Sequence, residues 1–147
     1  MKTILITGCS SGFGFETAQY FLLQGWRVIA TMRNTADSLL QESERLRILP
    51  LDVSDISSIE NVVALAGPID VLVNNAGIGV MGALEGTTTD TIHDLFAVNV
   101  LGTINVTKAF LPLFRAQRSG VIINISSAIT LAPLPLLSVY TASKAAI

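Results

Sequence analysis

Ile4-Leu5-Ile6-Thr7-Gly8-Cys9-Ser10-Ser11-Gly12-Phe13-Gly14 is the stretch that decides the fold. A short apolar run, a glycine-rich turn and a helical pattern through Gln24 make a strand–loop–helix unit. Such a turn cradles an anion. Its glycines let the backbone come close, and the helix N-terminus supplies free N–H groups and positive partial charge. The spacing is Gly-x-x-x-Gly-x-Gly, with Ser10, Ser11 and Phe13 set between Gly8, Gly12 and Gly14. A P-loop is excluded because no lysine follows the glycines. Gly8-Cys-Ser10-Ser-Gly12 also satisfies the Gly-x-Ser-x-Gly of hydrolase nucleophile elbows. That elbow needs an acid and then a histidine downstream, and an oxyanion loop upstream. Only His93 is present, inside a helical stretch, and the seven residues before Gly8 are too few for the loop. The elbow is rejected.

Outward from this unit, strands and helices alternate. Apolar runs at 27–32, 47–51, 70–73 and 120–125 read as strands. Residues 34–46 are polar and helix-forming, a surface element. Ser54 is placed to cap a helix through Leu65, and Thr89 to cap a long one running to about Arg118. On the latter, Ile92, Leu95, Phe96, Asn99, Val106, Phe110 and Leu113 follow helical spacing. Val98, Val100, Leu101 and Ile104 make its other face apolar too, which implies burial on two sides, one of them a candidate subunit interface. The alternation predicts an α/β, doubly wound parallel sheet (the Rossmann fold) with helices on both faces. Half the residues are hydrophobic and 14% are charged, and mean hydropathy is +0.60. That balance suits a sheet covered on both sides.

Composition also bounds function. Nine basic and eleven acidic side chains give a net charge of −2. With no basic block, neither nucleic acid nor an anionic membrane is indicated as a partner. The single Cys9 excludes an internal disulfide and points to a reducing compartment. Ile6-Thr-Gly-Cys9 resembles a lipoprotein cleavage site, but the apolar run before it is far shorter than the roughly 7–15 residues of a signal peptide. No uninterrupted apolar run of ~20 residues occurs, so no membrane span is expected. A soluble cytoplasmic protein is the expectation. There is no cluster of metal ligands, and His93, without a second ligand, reads as a surface residue.

In this fold the ligand lies beyond the C-terminal strand ends, near the switch in strand order. Arg33 stands at one such end with no acidic residue beside it in sequence, which suits a 2′-phosphate and favours NADP over NAD. Asp52, at the next, either meets an adenine edge or orients its loop. Asn74-Asn75-Ala76-Gly77 suits close packing against a cofactor ring and equally suits a turn. Asn99, on an apolar stripe, is a packing device, a local helix distortion or part of a proton path. The fifth strand ends at Ser126-Ser127, and the apolar residues 128–137 after it are placed to line a pocket. Tyr140 and Lys144 then fall one helical turn apart on one face. An ammonium there favours the phenolate of a group whose free pKa is ~10, and fits the pair for acid–base exchange with a hydroxyl or carbonyl oxygen.

Taken together, Thr7-Gly-x-x-x-Gly12-x-Gly14, Asp52, Asn74-Asn-Ala-Gly77, Asn99, Ser127 and Tyr140-x-x-x-Lys144 resemble the short-chain dehydrogenase/reductase family. The glycine loop followed by Ala-Thr-Met-Arg33 is similar to its NADP-preferring, hydroxysteroid-dehydrogenase-like branch. The resemblance implies a catalytic set of Asn99, Ser127, Tyr140 and Lys144. Tyr140 is implied as acid/base, Ser127 as polarising the substrate oxygen, Lys144 as holding the nicotinamide ribose and Asn99 as anchoring a relay water. Gly8, Ser10, Ser11, Gly12, Phe13, Gly14, Arg33, Asp52, Val53, Asn75, Ala76, Gly77, Tyr140 and Lys144 are implied cofactor contacts. The expected activity is hydride transfer between NADP(H) and a carbonyl or secondary alcohol of a small or hydrophobic substrate. The alternative is a non-catalytic NADP(H) sensor on the same fold. Residues 1–147 are expected to form one dinucleotide-binding domain, incomplete at its C-terminal side, from a longer homo-oligomeric protein. A polypeptide ending at Ile147 is expected to show little turnover and to leave the fifth strand as an exposed apolar edge.

Overall fold

The computed structural model describes residues 1–36 and 38–147. Five strands, β1 (Thr3–Ile6), β2 (Arg27–Met32), β3 (Leu46–Pro50), β4 (Val71–Asn74) and β5 (Val121–Asn124), pair in the order β3-β2-β1-β4-β5. Every pairing is parallel. The order reverses beside β1, which puts the crevice for a ligand between the C-terminal ends of β1 and β4.

Alternation along β1 builds two cores from one strand. Ile4 and Ile6 face a cluster with Val28, Ala30, Val71, Val73 and Ala18 of α1 (Gly12–Leu23). Leu5 faces the opposite cluster with Ile29, Leu72, Ile59 and Val62 of α2 (Ile56–Ala66), and Val106 and Phe110 of α4 (Thr103–Gln117). The doubly wound parallel sheet is therefore as expected, and the runs of β1, β2 and β4 are apolar because neither of their faces meets water.

Two caps fall one residue from their expected places. Asp55, not Ser54, caps α2 by accepting from Ser57 N–H at 2.9 Å. The Ser54 hydroxyl is already committed to Asp52 Oδ1 at 2.6 Å. Likewise Thr88, not Thr89, caps α3 (Thr89–Phe96), accepting from Thr91 N–H at 3.2 Å. The long helix expected over 89–118 is real in extent but not uniform, because a π-helical segment, Ala97–Gly102, separates α3 from α4.

Residues 34–46 are not helical among those described, and Asp37 lies outside them. Ser38 Oγ accepts from Leu40 N–H and Ser43 Oγ from Leu46 N–H, local bonds that compete with a helix. Leu40 is buried in the α1-side core. Where a polar surface helix was expected, the segment instead inserts one leucine into the core.

From Thr89 to Gln117 the chain forms the one helix, among the described residues, long and apolar enough by length and composition to cross a membrane. Core helices of globular domains pass the same test, and here Val106, Phe110 and Phe114 are packed against the sheet. Its Leu101 and Ile104 are exposed. On β5, Val121, Ile123 and Ile125 are exposed, so this strand is the apolar edge that was expected.

Candidate active site

An open cleft of about 740 Å³ lies over the C-terminal strand ends. Of the expected site residues, Gly8, Ser10, Ser11, Phe13, Arg33, Asp52, Val53, Asn75, Ala76, Gly77, Ser127, Tyr140 and Lys144 line it. Gly14 and Asn99 are buried and not on its wall, and Gly12 is exposed at the start of α1.

The glycine loop is pressed flat against β4. At Gly8 (φ +73°) a Cβ would sit 2.8 Å from Ala76 Cα, and at Gly14 one would overlap the Gly8 carbonyl and the Asn75 amide. Gly12 (φ +58°) has open space above it. Asn75 Nδ2 donates to Thr7 O at 2.8 Å and Gly8 O at 3.0 Å. Thr7 Oγ1 accepts in return from the N–H groups of Asn75 and Ala76, at 3.0 and 2.9 Å. Thr7 and Asn75 thus clip the loop to β4, a role that sequence reasoning did not assign. The start of α1 carries no acidic residue in its first turn, and the Ser11 hydroxyl makes no cap bond. Its positive end is left for an anion in the cleft. A cradle a Cβ would fill, opening on an uncapped helix start, fits a dinucleotide pyrophosphate.

At the far rim, Asp52 accepts from the Ser54 hydroxyl and N–H. Those two bonds, the hydroxyl first, hold its carboxyl below the usual carboxylate range, and the Arg33 guanidinium adds attraction. The sequence shows no acid beside Arg33, but the fold brings one. Met32 registers with Pro50, so the ends of β2 and β3 share one rim.

Asn99 lies within the π segment, 1% exposed. Its Oδ1 accepts from Ile78 N–H at 2.8 Å, and its Nδ2 donates to Ile78 O at 2.9 Å and Ser143 Oγ at 3.0 Å. Of the three readings left open for it, packing device and helix distortion are both seen. Thr103 Oγ1 donates to the Asn99 carbonyl at 3.0 Å.

On α5 (Ser138–Ala145), Tyr140 and Lys144 share the cleft-facing side. Ser143, fully buried, donates to Tyr140 O at 2.8 Å and so links Asn99 to the tyrosine-bearing turn. Lys144 Nζ donates to Ile125 O at 2.8 Å, and Ser126 Oγ to Lys144 O at 2.8 Å, which fasten α5 to the end of β5. Burial pushes the Lys144 pKa down. Gly77 leaves room here, since a Cβ on it would lie 3.3 Å from both Lys144 Nζ and Asn99 Oδ1. Gly79 lies against the Tyr140 ring. Ser127 Oγ accepts from Ile129 N–H at 3.3 Å, which leaves its own hydrogen available to the cleft. Of the apolar residues 128–137, only Ala128 is on the cleft wall. Ile129 is buried, while Leu131, Leu134 and Leu136 are exposed. The expectation that this loop lines the pocket is corrected accordingly. Leu136 (φ +65°) accepts from Gly82 N–H at 2.9 Å, which ties the loop to the opposite rim.

Thr7 and Ser143 were missed although a local signal existed for each. Thr7 precedes the glycines, and Ser143 stands three residues after Tyr140 on the inner side of α5. Ile78 and Gly79 carried no such signal. Cys9 is buried behind the loop, and burial pushes its thiol up to about 12. His93 is exposed, as expected. Among the described residues no three His, Cys, Asp or Glu side chains gather as a metal site.

The family model of the short chain dehydrogenases matches residues 2–147. The chain is 40% identical over 150 residues to a 3-ketodihydrosphingosine reductase of Bacteroides thetaiotaomicron, which covers 99% of this chain and 54% of that protein. It thus spans about half the length of the curated relatives it matches. Among solved structures it is similar to ElxO with NADP bound, with TM-score 0.91 and 31% identity over 99% of this chain and 63% of that one. It is also similar to a 3-ketoacyl-(acyl-carrier-protein) reductase from Brucella melitensis complexed with NADH, with TM-score 0.92 and 30% identity over 98% and 64%.

Proposed function

The chain belongs to the short-chain dehydrogenase family, and from that premise we propose an oxidoreductase that transfers a hydride between NADP(H) and a carbonyl or secondary alcohol of a small or hydrophobic substrate. The observation that carries this reading is that Tyr140, Lys144 and Ser127 stand on the wall of the same cleft that the glycine loop closes. Relatives of this fold hold NADP or NADH, which supports a nicotinamide dinucleotide here.

The residues that would hold it are the N–H groups of 8–14 toward the pyrophosphate, Arg33 toward a 2′-phosphate, Asp52 and Val53 toward the adenine, and Asn75, Ala76, Gly77 and Lys144 toward the nicotinamide riboside. When bound, the dinucleotide supplies the hydride donor or acceptor. The chain itself handles the proton. Tyr140 gives its phenolic hydrogen to the carbonyl oxygen in reduction and takes it back in oxidation. Ser127 donates a hydrogen bond to the same oxygen and orients it. The Lys144 amine stands one helical turn from the phenol on the same cleft wall, while Asn99 holds the turn through Ser143. The preference for NADP rests on Arg33, whose guanidinium stands on the cleft wall just past the end of β2. The whole protein is further taken as cytoplasmic and as a homo-oligomer, and the exposed Leu101 and Ile104 on the long helix support the association alone.

In the full-length protein, Tyr140→Phe is expected to lower kcat for NADPH-dependent ketone reduction by a factor of about 10²–10⁴. NADPH affinity, measured by fluorescence titration and tighter than that of NADH, should change by less than about threefold, or under ~0.7 kcal/mol. Turnover within about tenfold of the parent would remove Tyr140 from the chemistry. Failure to bind either nucleotide would remove the cofactor.

A further inference from the structure

At the other end of the sheet, remote from the cleft, a groove of about 290 Å³ lies beside the starts of β2 and β3. Arg27 opens β2, Arg45 immediately precedes β3, and Arg47 is the second residue of β3. Ile29 registers with Arg47, and Val28 with Leu46. Side chains alternate along a strand, so residues 27, 45 and 47 stand on one face of the sheet. The 2.7 Å bond from Val28 N–H to Arg45 O brings Arg27 and Arg45 next to each other across the two strands. All three arginines line the groove, together with Glu44. Arg47 Nη2 donates to Leu65 O at 3.0 Å, which fixes its guanidinium at the end of α2.

Basic side chains are scarce in this chain, nine in all with a net charge of −2. Three of them in one concavity make a local positive field against that background. Among the described residues none of the three guanidiniums is ion-paired, although Glu44 shares the groove. Like charges facing each other across neighbouring strands are destabilising. A planar guanidinium fork matches the oxygens of a phosphate, and two or three of them on one wall can share its charge. We propose that this groove is a second binding site, for a phosphate-bearing anion gripped by Arg27, Arg45 and Arg47. The phosphate can belong to a free diphosphate or phosphorylated metabolite, or to the head group of an anionic lipid. The chemistry of recognition is the same.

The test is a titration of the full-length protein with inorganic pyrophosphate, followed by amide ¹H–¹⁵N shifts. The amides of Val28, Arg45 and Arg47 are expected to move. The Arg27→Gln/Arg45→Gln pair leaves the Arg47 bond to Leu65 and every core side chain intact, so it should fold with an unchanged or higher Tm. It should weaken pyrophosphate at this groove by at least about tenfold, with NADPH affinity unchanged, and Arg27→Lys/Arg45→Lys should restore part of the loss. Sedimentation with phosphatidylinositol phosphate vesicles distinguishes the sources. Vesicle capture lost in the glutamine pair assigns a lipid head group, and pyrophosphate shifts without capture assign a free phosphate. Shifts confined to residues 8–14, or equal affinity in the glutamine pair, overturn the site.

Discussion

Lys144 holds a cation where there is little water: the residue is 6% exposed, and its amine is bonded to the Ile125 carbonyl. Burial lowers its pKa from 10.5, so in the window between that lowered value and 10.5 the unfolded chain carries a proton that the folded chain has shed. Stability therefore rises with pH across that window, and below it the burial of the charge weighs in full. In Lys144→Met that dependence should vanish. Denaturant unfolding at a series of pH values should show the parent gaining on the variant as pH approaches 10.5, and a parent that loses ground would refute the assignment. The same site explains why glycine stands at position 77. An alanine methyl there would press on both the amine and the Asn99 amide.

The loop between β1 and α1 shows what separates one glycine from another. Gly14→Ala is expected to cost roughly 1–3 kcal/mol and to weaken dinucleotide binding, because the methyl collides with the Gly8 carbonyl and the Asn75 amide. Gly12→Ala meets open space and bears only the strain of its positive φ, about 1 kcal/mol. Urea midpoints and NADPH titrations of the two variants test the ranking, and an equal or reversed order would discard it. Much of this element was legible in advance because its cause is local: an apolar run, glycines and a helix start are written consecutively. So was the Tyr140–Lys144 spacing, which needs only helical geometry. What stayed hidden depends on partners far away in sequence. Asp52 reaches the neighbourhood of Arg33 only because β2 and β3 pair, and Ser143 finds Asn99 only because α5 crosses the π segment. Ser54 lost its capping role to Asp55 because its own hydroxyl is bonded to the Asp52 carboxylate. Residues 34–46 have the composition of a helix, but serine side chains bond their own backbone there and Leu40 is drawn into the core. Tertiary demand overrode local propensity.

The molecule is a sheet with an apolar layer on each side and one bare flank. Along that flank Val121, Ile123 and Ile125 of the β5 region are 52%, 41% and 36% exposed, and an unpaired apolar edge templates association between chains. In the chain of residues 1–147, Ile123→Lys should slow aggregation measured by light scattering while altering stability by no more than about 0.5 kcal/mol. An unchanged aggregation rate would show that association proceeds elsewhere. The strand order has a further effect, felt while the polypeptide is being made. β1 is synthesised before its neighbour β4, and Ile4 must wait for Val71, about 67 residues later, to emerge. At about 5–20 residues per second, that delay is roughly 3–13 s. For those seconds Ile4, Leu5 and Ile6 stand on the nascent chain without their central partner, a natural foothold for a ribosome-associated chaperone.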